Sequence, residues 1–436
     1  MTKVIAVFDI GKTNKKIILF DKRFNIIYNK STRFDEIKDD DGDPCDNIEA
    51  IERWMLNQIK TIQQQGVFDI KAINFSTHGA TVVYLNKNGK RITPLYNYLK
   101  PLNTIDFNEL YDKNGGVEEF SRKTASPAYG MLNAGLQIYW LKNKKPHFWK
   151  EVHSILHYPQ YFSYLFTNKE TADFTSIGAH TALWDFDNMN YHSWLNDENI
   201  NLPEPSNGKK AISANVNGKN IAIGSGLHDS SSSIIPLLQK NQEDEFILLS
   251  TGTWIITMNP YSKQLLTTDQ LNNNCLCFMT PEKQQVKSSM QFLGQIHEVY
   301  LKGLSSFFKV DIDTHMNLVL NKGLCNKLII NSTRIFLAEG IDTQFEADES
   351  LLANFKNYET AYYQLVFEIS KKVMNAIELI LDENNSLKHI FISGGFNKNN
   401  VFIEFLSLLN PHISIKIPDI KNESALGAAL LMKKYL

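Results

Sequence analysis

The chain has little cysteine: four in 436 residues, at Cys45, Cys275, Cys277 and Cys325, with no Cys-x-x-Cys pair. That scarcity excludes a disulfide-stapled scaffold and the paired-thiol spacing of a structural zinc site. Cys275 and Cys277 have no histidine or second pair close by, and in a strand such residues simply face the same side. They read as structural or free thiols. Long apolar runs are also missing, since none approaches the about 18 residues of a membrane span. Asp9 interrupts the first apolar segment before any cleavage site, so no signal peptide is expected, and the expected location is cytoplasmic. Neither charge is in excess. Lys and Arg number 45 against 47 Asp and Glu, a net −2, which argues against an extended basic surface for nucleic acid. No nucleic-acid or membrane partner is expected.

What is present suits a globular protein. A hydrophobic content of 43% is enough for large cores, and the length suggests two or three domains at about 150 residues each.

The organising stretch is Phe8-Asp9-Ile10-Gly11-Lys12-Thr13-Asn14-Lys15-Lys16. An apolar run over 4–8 reads as a buried strand, and a second over 17–20 leads back. Gly11 lets the chain turn between them. The hairpin tip thus gathers a carboxylate with hydroxyl, amide and ammonium donors. That set suits a metal-bound polyphosphate, with Asp9 on the metal or its waters and the donors on phosphate oxygens. An ordinary polar hairpin turn would contain the same residues.

A third strand is expected over 25–28, then an acidic loop over 39–43 whose spacing does not continue as a calcium loop. Asp46 and Glu49 read as a capping box opening a helix, with Ile48, Ile51, Met55, Ile59 and Ile62 on one face and Gly66 as its stop. A strand over 70–75 runs into Ser76-Thr77-His78-Gly79-Ala80-Thr81, and ligands of open α/β sheets bind beyond such strand ends. His78 there could touch a polar substrate or merely bond a backbone carbonyl. A hairpin turning at Asn88-Gly89 follows, then a helical, polar region over 102–149 and a short buried helix over 158–166.

The segment Asp173-Phe-Thr175-Ser-Ile-Gly-Ala-His-Thr181 is dense in hydroxyls and could bind a polyol or lie as a surface loop. Residues 203–218 read as a loop or hairpin turn. A strand over 221–223 leads into Gly224-Ser-Gly-Leu-His228-Asp229, before a helix over 230–238. Asp229 is either a helix cap or a carboxylate aimed into a cleft as general base.

A polar stretch over 239–245 marks a domain boundary. Beyond it the opening theme returns: a strand over 246–250, a Thr251-Gly252-Thr253 turn and a strand over 254–258. Two such units suggest an internal duplication of architecture. A long amphipathic helix carries Tyr362, Leu365, Ile369, Val373, Ile377 and Ile380. A strand over 389–393 then ends in Gly394-Gly395, whose lack of side chains admits a close ligand. The last helix, over 423–435, shows a small-residue face at Ala425, Gly427, Ala428 and Ala429 that permits close contact with another helix or a nucleotide.

Taken in this order, the segments resemble the FGGY carbohydrate kinase family, within the actin-like, ribonuclease-H-like ATPases. The resemblance implies an α/β fold with two actin-like domains facing a central cleft: 1–238 for sugar and catalytic base, 245–436 for ATP. It implies Mg2+ and ATP as cofactors and a keto-sugar or polyol as substrate, and leaves monomer and homodimer open. Asp229 falls on the catalytic aspartate and Asp9 on the magnesium-associated one. His78, Gly79, Asp173, Thr175, His228 and Asp229 would contact sugar. Gly11, Lys12, Thr13, Asn14, Lys16, Thr251, Gly252, Thr253, Gly394, Gly395 and Asn399 would contact ATP. Lys12 stands where a small residue is usual, Lys16 where arginine is usual, and Gln137 where lysine is. The first hairpin looks like that of L-fuculose kinases, and Gly252-Thr253-Trp254 is similar to L-fuculose and L-rhamnulose kinases. His78-Gly79-Ala80-Thr81 resembles xylulose kinases. The resemblance favours a deoxyketohexose such as L-fuculose or L-rhamnulose. D-xylulose or another pentulose is the alternative, and a non-catalytic sugar- or nucleotide-binding regulator is the reading from another class.

Overall fold

Two sheets of matching topology organise the chain in the computed structural model, which describes residues 1–101, 107–337 and 348–436. Strands β1 (Thr2–Ile10), β2 (Lys15–Phe20) and β3 (Ile26–Thr32) form an antiparallel meander. Helix α1 (Ile48–Gln65) then crosses to β4 (Phe68–Thr77), parallel to β1 on its other side. Strand β5 (Val82–Leu85), helix α2 (Ala134–Lys144), strand β6 (Ser154–His157), helix α3 (Tyr158–Thr167) and the one-turn α4 (Phe174–Ile177) follow. Strands β7 (Ile212–Val216), β8 (Lys219–Ile223) and β9 (Leu227–His228) return to the first sheet, giving the order β7-β8-β4-β1-β2-β3 with β9 also paired to β4.

The second sheet repeats the plan. Helices α5 (Asp229–Ser233) and α6 (Ile235–Lys240) lead into strands β10 (Glu245–Thr251) and β11 (Ile255–Asn259), then β12 (Cys275–Met279) and β13 (Gln285–Gln291). Helices α7 (Leu293–Phe308) and α8 (Tyr358–Ile380) precede β14 (Leu387–Gly394), and α9 (Asn400–Leu409) precedes β15 (Ser414–Lys416) and the last helix, α10 (Glu423–Leu431). The order is β12-β13-β11-β10-β14-β15. Strands β10, β11 and β13 run antiparallel in turn, while β14 lies parallel to β10 and β15 to β14. A meander followed by parallel strands on the far side of its first member thus occurs twice, as the two glycine-turn hairpins suggested.

Strand β1 is apolar at consecutive positions because both faces of the first sheet are covered. Val4, Ala6, Phe8 and Ile10 pack with Ile51, Met55 and Ile59 of α1 and with Tyr158 and Phe162 of α3. Ile5 and Val7 pack on the opposite face against Ala425, Ala428 and Ala429 of α10. The end of the chain therefore lies on the sheet that begins it. A third cluster joins Ile234 and Leu237, around α6, to Phe246, Leu248 and Met258 of the second sheet.

Local structure departs from the sequence reading in several places. The N-cap of α1 is Asn47, whose side chain accepts from the Ala50 N–H at 3.1 Å. Asp46 is diverted from capping because Lys12, Lys15 and His78 surround it. The helix expected over 230–238 is two, broken at Ile234, since Pro236 lacks the N–H needed to continue the ladder. The last helix stops at Leu431, and a 3-10 turn (Lys433–Tyr435) follows. The acidic loop over 39–43 is an ion-pair clamp: Lys100 Nζ lies 2.8 Å from Asp39 Oδ2, 3.0 Å from Asp41 Oδ2 and against Asp43. Lys145 meets Asp40 at 2.7 Å and also Asp41. The hydroxyl-rich segment around Asp173 is buried, with Asp173 and Thr175 fully so. The polar region expected over 102–149 is mostly helical, broken by an irregular stretch over 124–129, and contributes Phe120, Leu136, Ile138 and Trp140 to a core; its residues 102–106 lie outside the described residues.

Gly427 shows why the small-residue face exists. A Cβ built there would lie 2.0 Å from the Ser232 carbonyl oxygen of α5, so the close neighbour is a helix. Replacing Gly427 with Ala should lower unfolding stability by about 1–3 kcal/mol, read as a shifted denaturation midpoint at unchanged m-value. Gly395→Ala, where a Cβ meets nothing within 4 Å, should change stability by less than about 0.5 kcal/mol.

Candidate active site

The site forms where β1, β4 and β9 end together. His78, the residue after β4, donates its N–H to the Ile10 carbonyl at 3.2 Å, which ties the two strand ends. Asp9 pairs across the first hairpin with Lys16 and across the parallel ladder with Ser76. Its Oδ2 is 3.6 Å from Lys16 Nζ, and its Oδ1 accepts from Ser424 Oγ at 3.2 Å. Lys16 in turn donates to Asn422 Oδ1 at 3.3 Å. Asn422 has φ 52°, a left-handed conformation that asparagine adopts more readily than most residues. The segment before α10 is thereby turned onto the first hairpin.

Asp229 reaches the same place through a bend. Between β8 and β9 the chain breaks its pairing with β4 at Gly224 and Gly226, and the buried Asn74 fills the gap. Asn74 Oδ1 accepts from the Gly226 N–H at 3.1 Å, and its Nδ2 donates to the Ala428 carbonyl at 2.8 Å. A Cβ on Gly224 would lie 2.3 Å from that Oδ1, so only glycine admits the amide. Asp229 then opens α5, its Oδ1 accepting from the Ser230 N–H at 2.7 Å and lying 3.3 Å from His228 Nε2. About a third of its side chain (34%) stays exposed. Burial pushes the Asp229 carboxyl above its usual range, while the His78 charge pulls it down. Asp9 is raised too, first by burial, with Lys16 opposing and Asp229 adding to the rise. The two carboxylates are close enough to repel.

A second charged cluster stands behind His78. Asp46 lies 3.4 Å from Lys15 Nζ, 3.6 Å from Lys12 Nζ and 3.7 Å from His78 Nε2. Burial alone would raise Asp46, but His78 and the charges of Lys15 and Lys12 outweigh it and hold the carboxyl at about 2. Lys12 also pairs with Glu36 at 2.9 Å. His78 Nδ1 contacts the Gly79 carbonyl at 3.0 Å. The acceptor there places the proton on Nδ1. Its ring also meets Tyr98, centroids 5.6 Å apart.

The second hairpin presents Gly252 and Thr253 at an exposed tip. Its base is fixed by Thr251 Oγ1, which donates to the Ser393 carbonyl at 2.5 Å and accepts from the Phe396 N–H at 3.0 Å. Gly294, opening α7, approaches so closely that a Cβ would sit 1.7 Å from the Gly252 carbonyl. Gly394, at φ 83°, touches the Thr251 carbonyl in the same way. The two hairpin tips and the Gly394 turn are thus the ends of equivalent strands. A cleft of about 940 Å³ opens beside the His78-Gly79 turn, lined by His78, Gly79, Tyr98, His228 and Ser230 from one side and by Trp254, Phe278 and Phe292 from the other.

The structure brings together Asp9, Lys16, His78, Gly79, His228 and Asp229, with Ser424 and Asn422 as additions. Other candidates point elsewhere. Asp173 is wholly buried, accepting from the N–H groups of Thr175 and Ser176 at 3.1 and 2.9 Å and from Thr175 Oγ1 at 2.9 Å. Thr175 Oγ1 accepts from the His228 N–H at 3.0 Å, so this pair supports the chain just before Asp229. Burial raises Asp173 to about 6 against those bonds. Asn399 caps α9 and donates to the Tyr362 hydroxyl at 2.8 Å. Asn14 accepts from Arg33 Nε at 2.8 Å. Among residues the sequence reading gave no site role, Asp46 was visible only as a cap, Lys15 only as part of the first hairpin, and Gln160 carried no motif. Gln160 Nε2 donates to the Ser225 and Gly226 carbonyls at 3.2 and 3.0 Å.

The donor set fits a metal polyphosphate. Asp9 offers a partly exposed carboxylate beside Lys16, enough for an ion that keeps most of its waters. Lys16 and the exposed hydroxyls of Thr13 and Thr253 offer donors. Among the described residues the one metal-like carboxylate group, Asp39, Asp40 and Asp41, is occupied by Lys100 and Lys145. No helix of the described residues is long and apolar enough to cross a membrane.

The fold is shared with known proteins. The solved carbohydrate kinase of Novosphingobium aromaticivorans superposes with a TM-score of 0.77 at 18% identity, covering 98% of this chain and 91% of that one. A ligand-bound xylulose kinase of Lactobacillus acidophilus gives 0.78 at 17%, over 99% and 89%. Both establish the fold: two actin-like domains around a cleft. Among curated proteins, a rhamnulokinase of Halalkalibacterium halodurans is 24% identical over 281 residues, 61% of this chain and 58% of that relative. The match thus spans little more than half the relative's length. Residues 4–235, more than half the chain, match the model of the N-terminal domain of the FGGY carbohydrate kinases. The chain belongs to the FGGY family of carbohydrate kinases.

Proposed function

We propose that this protein phosphorylates a ketose with MgATP, and that Asp229 is its general base. The carrying observation is the placement of Asp9, Lys16 and Asp229 at adjoining strand ends, next to His78, Gly79 and His228, which line the cleft together with Trp254 of the second hairpin. Residues 1–238 would bear the sugar and the base, and 245–436 the nucleotide, with α10 crossing back onto the first sheet. Such a reaction draws on ATP and fits a cytoplasmic enzyme.

Phosphoryl transfer needs alignment and charge neutralisation more than covalent help. Asp9 would hold Mg2+ through its waters, and the bound ion would neutralise phosphate charge. Lys16, Thr13, Gly252 and Thr253 would face phosphate oxygens, and the turn at Gly394-Gly395 would lie beside the nucleoside. His78 and Gly79 would orient the acceptor sugar. Asp229 takes the proton of the acceptor hydroxyl as that oxygen bonds to the γ-phosphorus and the bond to the ADP oxygen breaks. Its raised carboxyl brings the base closer to working pH than an ordinary aspartate. Asp173 and Thr175, assigned to sugar on sequence, support the reading as the brace under His228.

Two acceptor classes are in play. The first hairpin and the curated rhamnulokinases favour L-fuculose or L-rhamnulose, while His78-Gly79 and the xylulose kinase neighbours favour D-xylulose or another pentulose.

In an ADP-release assay with L-fuculose, L-rhamnulose, D-xylulose and D-ribulose as acceptors, Asp229→Asn should lower kcat by about 10²–10⁴-fold with sugar affinity little changed. Unchanged turnover would remove Asp229 from this role. Sugar binding without ADP release by the native protein would favour the regulatory reading. Because the base must be ionised, kcat/KM should fall as pH drops through the raised Asp229 pKa. That acid limb should lie above the ordinary value of about 3.9 and vanish in the residual activity of the variant. Asp9→Asn should raise the Mg2+ concentration needed for half-maximal rate, with sugar affinity retained.

A further inference from the structure

The motif around Asp229 marked His228 as a sugar contact, but the packing of its ring assigns it other work. It lines the cleft, yet only 4% of the residue is exposed. Phe278 of β12 lies against the ring, centroids 5.4 Å apart, and His180 meets it edge-on at 6.5 Å. Gly79 presses on it as well: a Cβ there would stand 2.9 Å from His228 Cδ2 and 3.0 Å from Nε2. The backbone is fixed by the N–H bond to Thr175 Oγ1. A ring packed this way keeps one orientation.

Both ring nitrogens then face protein groups. Nδ1 lies 3.3 Å from Ser231 Oγ, and Nε2 lies 3.3 Å from Asp229 Oδ1. Burial, then the charge of His78, lowers His228 to about 3, so at neutral pH the ring carries a single proton. With that proton on Nδ1, the Nε2 lone pair would oppose the Asp229 carboxylate. With it on Nε2, the ring N–H faces Asp229 Oδ1 and the Ser231 hydroxyl donates to Nδ1. The second tautomer satisfies all three groups, and in histidine the partner of one nitrogen decides the state of the other. Bonds of this kind are commonly long in unliganded sites and tighten when substrate binds.

The two oxygens of the base thereby become unlike. Oδ1 accepts from the Ser230 N–H at 2.7 Å and from the Ser230 hydroxyl at 3.4 Å, on the side that His228 faces. We infer that His228 is a positioning residue for the base: its Nε2–H holds Asp229 Oδ1, so that Oδ2 receives the proton of the acceptor hydroxyl. This rests on the kinase reading above and deepens it. The acceptor oxygen bonds the γ-phosphorus, the ADP oxygen leaves with its electron pair, and the proton ends on Oδ2. His228 neither gains nor loses a proton in the step.

Two measurements on the full chain test this. Nitrogen NMR of histidine-labelled protein at neutral pH, with His228 assigned by its loss in His228→Gln, should show the Nε2–H tautomer. An Nδ1–H ring or an imidazolium overturns the inference. With the same four ketoses, His228→Phe should lower kcat at least about tenfold, while the calorimetric sugar Kd changes less than about threefold. His228→Gln, whose amide N–H can reach the same oxygen, should restore most of that loss. A sugar Kd that weakens as far as kcat falls would make His228 a sugar contact and overturn the inference, as would failure of the glutamine variant to restore kcat. If the phenylalanine variant does not fold, the tautomer decides. Unchanged turnover in Asp229→Asn with an Nε2–H ring would remove the base and the inference with it. An Nδ1–H ring with an inactive Asp229→Asn removes the inference alone.

Discussion

A single buried carboxamide, that of Asn74, joins three parts of the chain that are far apart in sequence. It sits within the strand 68–77, accepts from Gly226 in the bend before Asp229, and donates to Ala428 in the last helix. Neither bond is replaceable by water, since Asn74 is fully buried, and each partner would otherwise be a buried backbone group left unmet. The bend places Asp229 at the strand ends, and the helix places Ser424 against Asp9. Both sides of the proposed site therefore depend on one side chain, and the glycine at 224 leaves the room it occupies, while the glycine at 226 clears Pro159.

The electrostatics follow from that geometry. Burial raises both Asp9 and Asp229, and the Asp229 charge adds to the rise at Asp9. Lys16 answers Asp9 with one positive charge, while Lys12 and Lys15 are drawn away to Asp46. The site thus carries more carboxylate than nearby free cation, which suits a divalent ion and is unfavourable without one. Asp46 is the counterpart on the other flank. Held ionised among Lys12, Lys15 and His78, it uses up charges that would otherwise neutralise the cleft.

The sequence disclosed the repeated strand–glycine-turn–strand units because both faces of those strands are buried, and an uninterrupted apolar run is an unambiguous signal. Gly66 ending its helix and the amphipathic face of 358–380 were legible for the same reason: a backbone conformation or a periodicity fixes residue type. Asp46 was misread because an acidic residue before a helix looks like a cap whether or not its side chain turns inward. Asn47 next door could cap equally well, and only Lys15 and His78, distant in sequence, decide between them. The break at Ile234 could have been read from Pro236. Asp173 and Thr175 were correctly singled out as unusual, yet their hydroxyl-rich pattern could not say whether they faced a ligand or braced the segment beneath His228. Long-range partners decide such roles, and no local pattern encodes them.

The same division explains why sequence likeness speaks poorly about the acceptor. Asn14 and Lys16, the residues that give the first hairpin its L-fuculose-kinase look, are engaged by Arg33 and by Asp9 with Asn422. They face the carboxylate and the neighbouring chain, where phosphate and metal chemistry belongs. Under the proposed function, the phosphate-facing hairpin and the acceptor-facing His78-Gly79 turn sit at different strand ends, so likeness in one says nothing of the other.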